Sequence, residues 1–225
     1  MPMDPNAEIE ISAFSWVPPF AEGLVRDLRV RWALEEVGLS YRERLLDAKT
    51  ERPADYFLEQ PFGQVPIYSD RGARIFESGA ILLHIAERSE VLMPRDPQGR
   101  ARATSWVIAA LNSIEPMISE LTNIDIFNNG AEWARLRRPE AVEKIRTRLG
   151  RLSDWVGDKD YLEDRFTAGD LMMTTVLRNL RQTDLVAEFP NLAAYKARCE
   201  ARPAFQRALA AQFATFERCK TPEPA

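Results

Sequence analysis

A chain of 225 residues is long enough for one large or two small domains with a hydrophobic core, and its 45% hydrophobic and 28% charged residues are typical of globular proteins. The formal net charge of −4 provides no positive field for nucleic acid, and no stretch approaches about 18 consecutive apolar residues, as a membrane helix would. Cys199 and Cys219 form neither a CxxC pair nor a metal-ligand spacing, so we expect a cytoplasmic protein with no metal, nucleic acid or membrane as partner.

Strand and helix patterns alternate in the first part of the chain. The predicted elements, in chain order, are a strand at 8–14, a helix at 25–37, a strand at 40–46, a short helical piece at 54–59, a hairpin at 65–76 and a helix from 77. Gly38 ends the first helix, and Ser69-Asp70-Arg71-Gly72 supplies the turn of the hairpin. This order predicts a thioredoxin-like layer whose first two strands are parallel.

A proline lies inside the first strand of the hairpin, in the sequence Gln64-Val65-Pro66. Because proline has no NH, it belongs at an edge of a sheet. A cis peptide bond before Pro66 would leave the NH and C=O of Val65 without a protein partner, free to pair with an extended peptide as an extra strand. The segment therefore predicts a main-chain contact with a short peptide.

The sequence Glu77-Ser78-Gly79 follows Pro66 by eleven residues and begins an apolar helix. The hydroxyl of Ser78 and the free NH groups of the first helical turn form a site for a carboxylate. Glu77 offers an anion to an ammonium group. Together these groups suit the α-carboxylate and α-amine of a γ-glutamyl group, although an N-capped helix after a hairpin would also explain them.

Beyond the Pro- and Gly-containing segment 93–99 the patterns are helical. In Phe166-Thr167-Ala168-Gly169-Asp170-Leu171, Thr167 and Asp170 can form a capping box and Phe166 can pack on Leu171, which predicts the start of a buried helix. The predicted organisation is a first domain at 8–90, a linker at 91–98, an all-helical domain at 99–215, and tails at 1–7 and 216–225.

From Glu8 to Phe213 the chain resembles the cytosolic glutathione S-transferase family, as a bacterial-type member of unassigned class. The resemblance rests on the segments 32–39, 61–66, 77–78, 166–171 and 189–192. It implies an N-terminal thioredoxin-like βαβ-ββα domain followed by a C-terminal helical bundle. It also implies glutathione as co-substrate, a small hydrophobic electrophile and a homodimer.

The resemblance places the thiol-activating hydroxyl or cysteine in the loop after the first strand. No Tyr, Thr or Cys lies there before Ser40, and Ser12 lies inside the predicted strand, so Ser15 is the catalytic candidate. The Trp16 indole NH is an alternative donor. Arg26 and Arg29, at the start of the next helix, could add positive potential near an anion, although Arg29 and Arg31 are equally well explained as solvated charges. Segment 16–23 lengthens this loop, which could bring the usual Ser or Cys position onto Val17.

Further glutathione contacts come from the resemblance. Lys49 precedes the short helical piece where the family has a residue that reaches the glycine carboxylate, and Arg52 competes for this role. Gln60 replaces an Asn common before the Pro-x-Gly turn. His84, the single histidine, is better explained as a structural side chain than as a general base. The candidates for the electrophile pocket, with core packing favoured for the first, are Trp106, Ile108, Asn112 and Phe127.

Three functions are compatible with these residues. The first is a glutathione S-transferase that uses the Gln64, Val65, Pro66, Glu77 and Ser78 site and conjugates a small electrophile. The second is a non-catalytic glutathione-binding carrier or interaction protein, which the lengthened loop favours. The third is a glutathione-dependent isomerase, dehalogenase or lyase on the same scaffold.

Overall fold

The computed structural model describes residues 3–220, which divide into two compact units, residues 3–92 with 202–220 and residues 93–201. The chain begins the first unit with these elements: β1 (Ile9–Trp16), α1 (Asp27–Val37), β2 (Tyr41–Asp47), a 3₁₀ turn (Ala54–Leu58), β3 (Ile67–Ser69), β4 (Arg74–Phe76) and α2 (Ser78–Ala86). Gly38 ends α1 at a φ of 70°, as the sequence predicted.

The strands of this unit form one mixed sheet in the order β2-β1-β3-β4. β1 is parallel to β2 and antiparallel to β3, and β3 is antiparallel to β4. Buried side chains of β1, α1 and α2, such as Ile11, Trp32 and Ile81, form its core. The predicted thioredoxin-like βαβ-ββα arrangement is confirmed.

The register of the strands brings several chain segments to one end of the sheet. Ile11 pairs with Tyr68 and Ile67 pairs with Phe76, so the carboxyl end of β1, the amino end of β3 and the carboxyl end of β4 lie together. α2 begins two residues after Phe76. We call this end, which includes Val65 and Ser78, the Val65 end of the sheet.

The second unit is helical. Its α-helices are α3 (Pro97–Ala109), α4 (Glu115–Thr122), α5 (Glu132–Val156), α6 (Ala168–Leu177) and α7 (Pro190–Glu200). A π-helical segment, Ala110–Ile114, joins α3 to α4, and a second, Asn123–Phe127, follows α4. The predicted capping box begins α6: the Thr167 NH donates to Asp170 Oδ2 at 2.8 Å, and the Thr167 hydroxyl accepts from the Gly169 NH at 3.1 Å.

The last helix, α8 (Pro203–Arg218), groups with the first unit, which differs from the prediction of one helical domain at 99–215. The reason is a set of contacts with α1. Arg202 donates two hydrogen bonds to the Glu36 carboxylate, at 2.6 and 2.8 Å, and the rings of Trp32 and Phe205 pack with their centres 4.8 Å apart. Periodicity predicts a helix here but does not specify its partner.

The predicted tails are partly described. Within the tail at 1–7, Met3 forms a parallel bridge with Tyr41, and the Asp4 NH donates to the Tyr41 carbonyl at 2.9 Å. Within the tail at 216–225, α8 continues to Arg218. Residues 1–2 and 221–225 lie outside the described residues. Between residues 3 and 220, we find no helix of the length and hydrophobicity needed to cross a membrane.

Candidate functional site

The main chain at Val65 is available to an extended peptide. The Val65-Pro66 peptide bond is cis, as the peptide-binding hypothesis required. Both residues lie just before β3, and the described residues form no hydrogen bond with the NH or C=O of Val65. Because these groups lie next to the sheet, a bound extended segment can add to it as a strand.

Buried hydrogen bonds hold the segment that carries Val65. The Tyr56 hydroxyl, on the 3₁₀ turn, donates to the Gln64 carbonyl at 2.6 Å and lies 2.9 Å from the Ser12 hydroxyl. Ser12 in turn accepts from the Ile67 NH at 2.7 Å. The residues on each side of Val65 and Pro66 are thereby fixed to β1 and to the 3₁₀ turn. Ser12 is structural, as its position in the strand predicted, but nothing in the sequence pointed to Tyr56.

The amino end of α2 carries groups that suit a carboxylate. Ser78, the first residue of α2, is 4% exposed, and its hydroxyl accepts a hydrogen bond from Arg29 Nη1 at 3.1 Å. The free NH groups of the first turn and this buried guanidinium both favour an anion at this position. The sequence indicated Arg29 as a possible positive charge near an anion, but not its bond to Ser78.

The interpretation of Arg29 and Arg31 as solvated charges is wrong. They are 2% and 0% exposed, because nearly the whole circumference of α1 is covered. Arg31 forms ion pairs with Asp27 and Glu43, each at 2.6 Å. A buried arginine needs such partners, because an unpaired buried charge is very costly.

Glu77 precedes α2 and is exposed, with a φ of 69°. This region is uncommon for a residue with a side chain, and such backbone conformations concentrate at ligand sites. Its carbonyl accepts from the Ile81 NH at 2.9 Å, which begins the helix, while the carboxylate projects toward solvent. An ammonium group next to a ligand carboxylate held at Ser78 can therefore pair with Glu77.

Ser15 lies at an irregularity near the carboxyl end of β1, where the register with β2 shifts between Phe14 and Trp16. It is half-buried, and its hydroxyl donates to the Leu46 carbonyl at 3.2 Å. Trp16 is the last residue of β1, and Lys49 Nζ lies 4.0 Å from the centre of its ring. Ser15, Trp16 and Lys49 thus lie at the carboxyl ends of β1 and β2.

Arg26 is exposed and lies immediately before Asp27, the first residue of α1. Its positive charge adds to that of the helix amino terminus. Val17 is 4% exposed and carries no polar group, so it offers no hydrogen bond to a thiolate. Between them, the lengthened loop contains a 3₁₀ turn at Pro19–Ala21.

Two other candidates have structural contacts. Arg52 donates to three backbone carbonyls, those of Asp47, Thr50 and Gly63, and so fixes the turn before Gln64. Gln60 is buried, and its side-chain oxygen accepts from the Phe62 NH at 2.6 Å in the same turn.

His84 contacts the hairpin turn, at the end of β3 opposite Val65. Its Nε2 lies 3.0 Å from Arg88 Nη2 and 3.6 Å from Asp70 Oδ2. Burial acts to raise the pKa of Asp70, but hydrogen bonds from Tyr68, Arg88 and the turn NH groups hold that pKa well below its usual range. These contacts support the structural interpretation of His84.

The predicted electrophile-pocket residues lie in the second unit. Trp106 donates from Nε1 to Glu163 Oε1 at 2.6 Å and packs on Trp155 with ring centres 5.4 Å apart. Ile108 and Phe127 are 45% and 66% exposed. Trp106 thus has the packing role that was favoured for it. Across residues 3–220, no group of three or more His, Cys, Asp or Glu side chains is arranged to hold a metal ion.

Comparisons with known proteins cover both units. The family model of the glutathione S-transferase N-terminal domain matches residues 21–87, and that of the C-terminal domain matches residues 134–203. A maleylacetoacetate isomerase of Rhizobium meliloti (strain 1021) is 30% identical over 190 residues, which cover 80% of this chain and 89% of that protein. Glutathione S-transferase F14 of Arabidopsis thaliana is 28% identical over 190 residues, 77% of this chain and 75% of that protein. A solved glutathione transferase from Burkholderia graminis, with two glutathione molecules bound per subunit, is similar with a TM-score of 0.79 and 25% identity, over 97% of this chain and 90% of that chain.

Proposed function

Because the chain belongs to the glutathione S-transferase family, we propose that it binds glutathione at the Val65 end of the sheet and directs its thiolate at a small hydrophobic electrophile. One observation carries this proposal: an unpaired main-chain position at Val65 and a carboxylate site at Ser78 lie at the same end of one sheet. A short peptide with a free carboxylate matches both features.

The binding mode follows from these groups. The central residue of glutathione pairs with the NH and C=O of Val65, next to Pro66. The γ-glutamyl carboxylate accepts from Ser78 and the first NH groups of α2, with Arg29 behind the hydroxyl, and the α-ammonium pairs with Glu77. Gln64 contacts the peptide beside Val65.

The other end of glutathione lies toward β1 and β2 in this binding mode. The glycine carboxylate pairs with Lys49, which is held over Trp16. Lys49 is a flexible, exposed cation. Its attraction for the glycine carboxylate is therefore mainly Coulombic and is weakened by added salt.

Thiol activation is assigned to the carboxyl end of β1. Lowering a thiol pKa from about 8.5 by about two units requires roughly 2.7 kcal/mol, which one hydrogen bond and a helix amino terminus can supply. Ser15 supplies this bond by exchanging its contact with Leu46 for one to sulfur. The indole NH of Trp16 and the charge of Arg26 are the alternative sources.

A glutathione-dependent isomerase is the second candidate, and the 30% identity with the maleylacetoacetate isomerase favours it. In such a reaction the thiolate adds to a conjugated double bond, the resulting single bond rotates, and elimination of the same thiolate restores the double bond. The binding half of the site serves both reactions equally.

We also propose a cytoplasmic homodimer. Exposed apolar side chains of the first unit include Phe57, Leu58, Phe62 and Phe76, and the rings of Phe62 and Phe76 pack with their centres 6.4 Å apart. Such a cluster suits a contact with a second copy. Among the described residues, neither Cys199 nor Cys219 forms a disulfide, which agrees with a reducing compartment.

Ultraviolet difference absorbance of the protein with glutathione across pH tests the proposal, because it reports thiolate formation directly. A saturable signal with an apparent pKa well below about 8.5 supports an activated thiol. Calorimetric binding without that signal favours a carrier, and no binding refutes the assignment. Turnover of an activated aryl halide, or cis–trans conversion of a conjugated diketo acid, then separates transferase from isomerase.

A further inference from the structure

The side chain of Gln212, on α8, is 1% exposed. It forms three hydrogen bonds, all of them to the five-residue segment 23–27. Its Oε1 accepts from the Gly23 NH at 3.1 Å. Its Nε2 donates to Asp27 Oδ1 at 2.8 Å and to the Val25 carbonyl at 3.3 Å. One amide of the last helix thus uses both its donor and its acceptor atoms on residues 23–27.

Residues 23–27 connect the lengthened loop to α1. Gly23 has a φ of 75°, which favours glycine, so the chain changes direction there. Arg26 lies within the segment, and Arg29, which bonds to Ser78, follows it by two residues. The position of this segment therefore sets where the amino terminus of α1 and the charge of Arg26 lie relative to the carboxyl end of β1.

Other contacts hold α8 in place without Gln212. At one end of α1, Arg202 forms two bonds to Glu36. Farther along α8, the Thr215 hydroxyl donates to Glu43 Oε1. Because these anchors lie on both sides of Gln212, replacing it should leave α8 packed while freeing residues 23–27.

Gln212 also contributes to the charge state of this region. Burial raises the pKa of Asp27, whereas Arg31 and the bond from Gln212 oppose that effect. The charged groups that act on Asp27 include Arg31 from α1 and Glu43 from β2, and Glu43 is itself bonded to Arg218 on α8. An apolar side chain at position 212 would remove one hydrogen bond each from the Asp27 carboxylate, the Gly23 NH and the Val25 carbonyl, while the ion pair of Asp27 with Arg31 would remain.

We propose that Gln212 is a positioning residue, which fixes residues 23–27 so that the amino terminus of α1 and Arg26 stabilise the glutathione thiolate. This inference rests on the proposed function, because it assigns a role in thiol activation. It separates two tasks: Val65 and Ser78 hold the peptide, and α8 acts through Gln212 on the thiol.

The test compares Gln212→Leu with Arg202→Gln, a control that breaks an α8–α1 contact at the opposite end of α1. In Gln212→Leu we expect the pKa of bound glutathione to rise by about half a unit, as loss of a helix-terminus interaction would cause. At pH values below that pKa, kcat should fall about threefold, while KM for glutathione should change by less than about twofold. Arg202→Gln should leave both unchanged.

Hydrogen–deuterium exchange provides a readout that does not depend on glutathione. Gln212→Leu should speed exchange in residues 20–27 by roughly tenfold, and Arg202→Gln should not. If Gln212→Leu does not fold, Gln212→Met, a more flexible apolar replacement, is used in both experiments.

An unchanged thiol pKa in the folded variant overturns the inference, as does an equal shift in Arg202→Gln. If the wild-type protein gives no thiolate signal, the proposed function fails instead. Hydrogen–deuterium exchange then decides whether Gln212 fixes residues 23–27. Unaltered protection of residues 20–27 in Gln212→Leu would show that it does not.

Discussion

Replacement of Ser78 by alanine tests the carboxylate site most directly. The Ser78 hydroxyl already accepts from Arg29, and the described residues offer it no other hydrogen-bond partner, so its own hydrogen remains available to a ligand. Ser78→Ala therefore removes one hydrogen bond to a charged group, worth about 1.5–3 kcal/mol. The dissociation constant for glutathione should rise by roughly tenfold to a hundredfold.

Isothermal titration calorimetry at fixed pH and salt measures this change. Ser89→Ala is the matched control, since the hydroxyl of Ser89 accepts from the Val91 NH just after α2, and this variant should bind glutathione as the wild type does. Arg29→Met should also weaken binding, and the double variant should lose less than the sum of the two, because Arg29 acts partly through Ser78.

Two results would refute this reasoning. One is a folded Ser78→Ala variant whose dissociation constant lies within twofold of the wild-type value. The other is full additivity of Ser78→Ala and Arg29→Met, which would mean that the observed bond between these side chains has no part in binding. Circular dichroism and melting temperature separate a lost contact from a lost fold.

Three further predictions concern the thiol, the Val65 segment and α6. Ser15→Ala should raise the pKa of bound glutathione by about one unit, the value of one hydrogen bond, and an unchanged titration would exclude Ser15 as activator. Tyr56→Phe, which removes the 2.6 Å bond to Gln64, should lower the free energy of unfolding by about 1–2 kcal/mol in urea and weaken glutathione binding several-fold, whereas Tyr161→Phe should change neither much. Burial raises the pKa of Asp170 to about 6, above its value of about 3.9 when unfolded, so the folded state holds the proton more tightly and stability should fall as pH rises from about 4 to about 6. Asp170→Asn should abolish this pH-dependent loss of unfolding free energy, which amounts to up to about 3 kcal/mol. A variant with the wild-type pH dependence would contradict the shifted pKa.

The features that the sequence predicted correctly depend on residues close together in the chain. The hairpin and the helix after it lie within 25 residues of each other, and the turn residues between the strands indicate them. The capping box of α6 likewise needs only Thr167 and Asp170. Local geometry determines such elements, so spacing alone reveals them.

The features that were missed depend on distant pairs. Arg29 meets Ser78 across 49 residues, and Tyr56 meets Ser12 across 44. An arginine within a helix whose neighbours are apolar signals burial, but its partner cannot be identified from spacing. The positive φ of Glu77 has no sequence signal either, because Glu is not a residue that favours that conformation.

In the proposed binding mode, the two halves of the site differ in how far they are already formed before glutathione binds. The bonds of Tyr56 to Gln64 and of Arg29 to Ser78 are already formed, so the peptide enters a fixed frame and little ordering is needed. At the carboxyl end of β1, by contrast, the Ser15 hydroxyl bonds to Leu46 and the Arg26 side chain is exposed. Activation of the thiol by Ser15 therefore requires its hydroxyl to leave the Leu46 carbonyl, whereas binding of the peptide requires no such exchange of hydrogen bonds. If the proposed function holds, we expect the choice between conjugation and isomerisation to depend on the carboxyl end of β1, and substitutions near Ser15 to alter the reaction while glutathione affinity is retained.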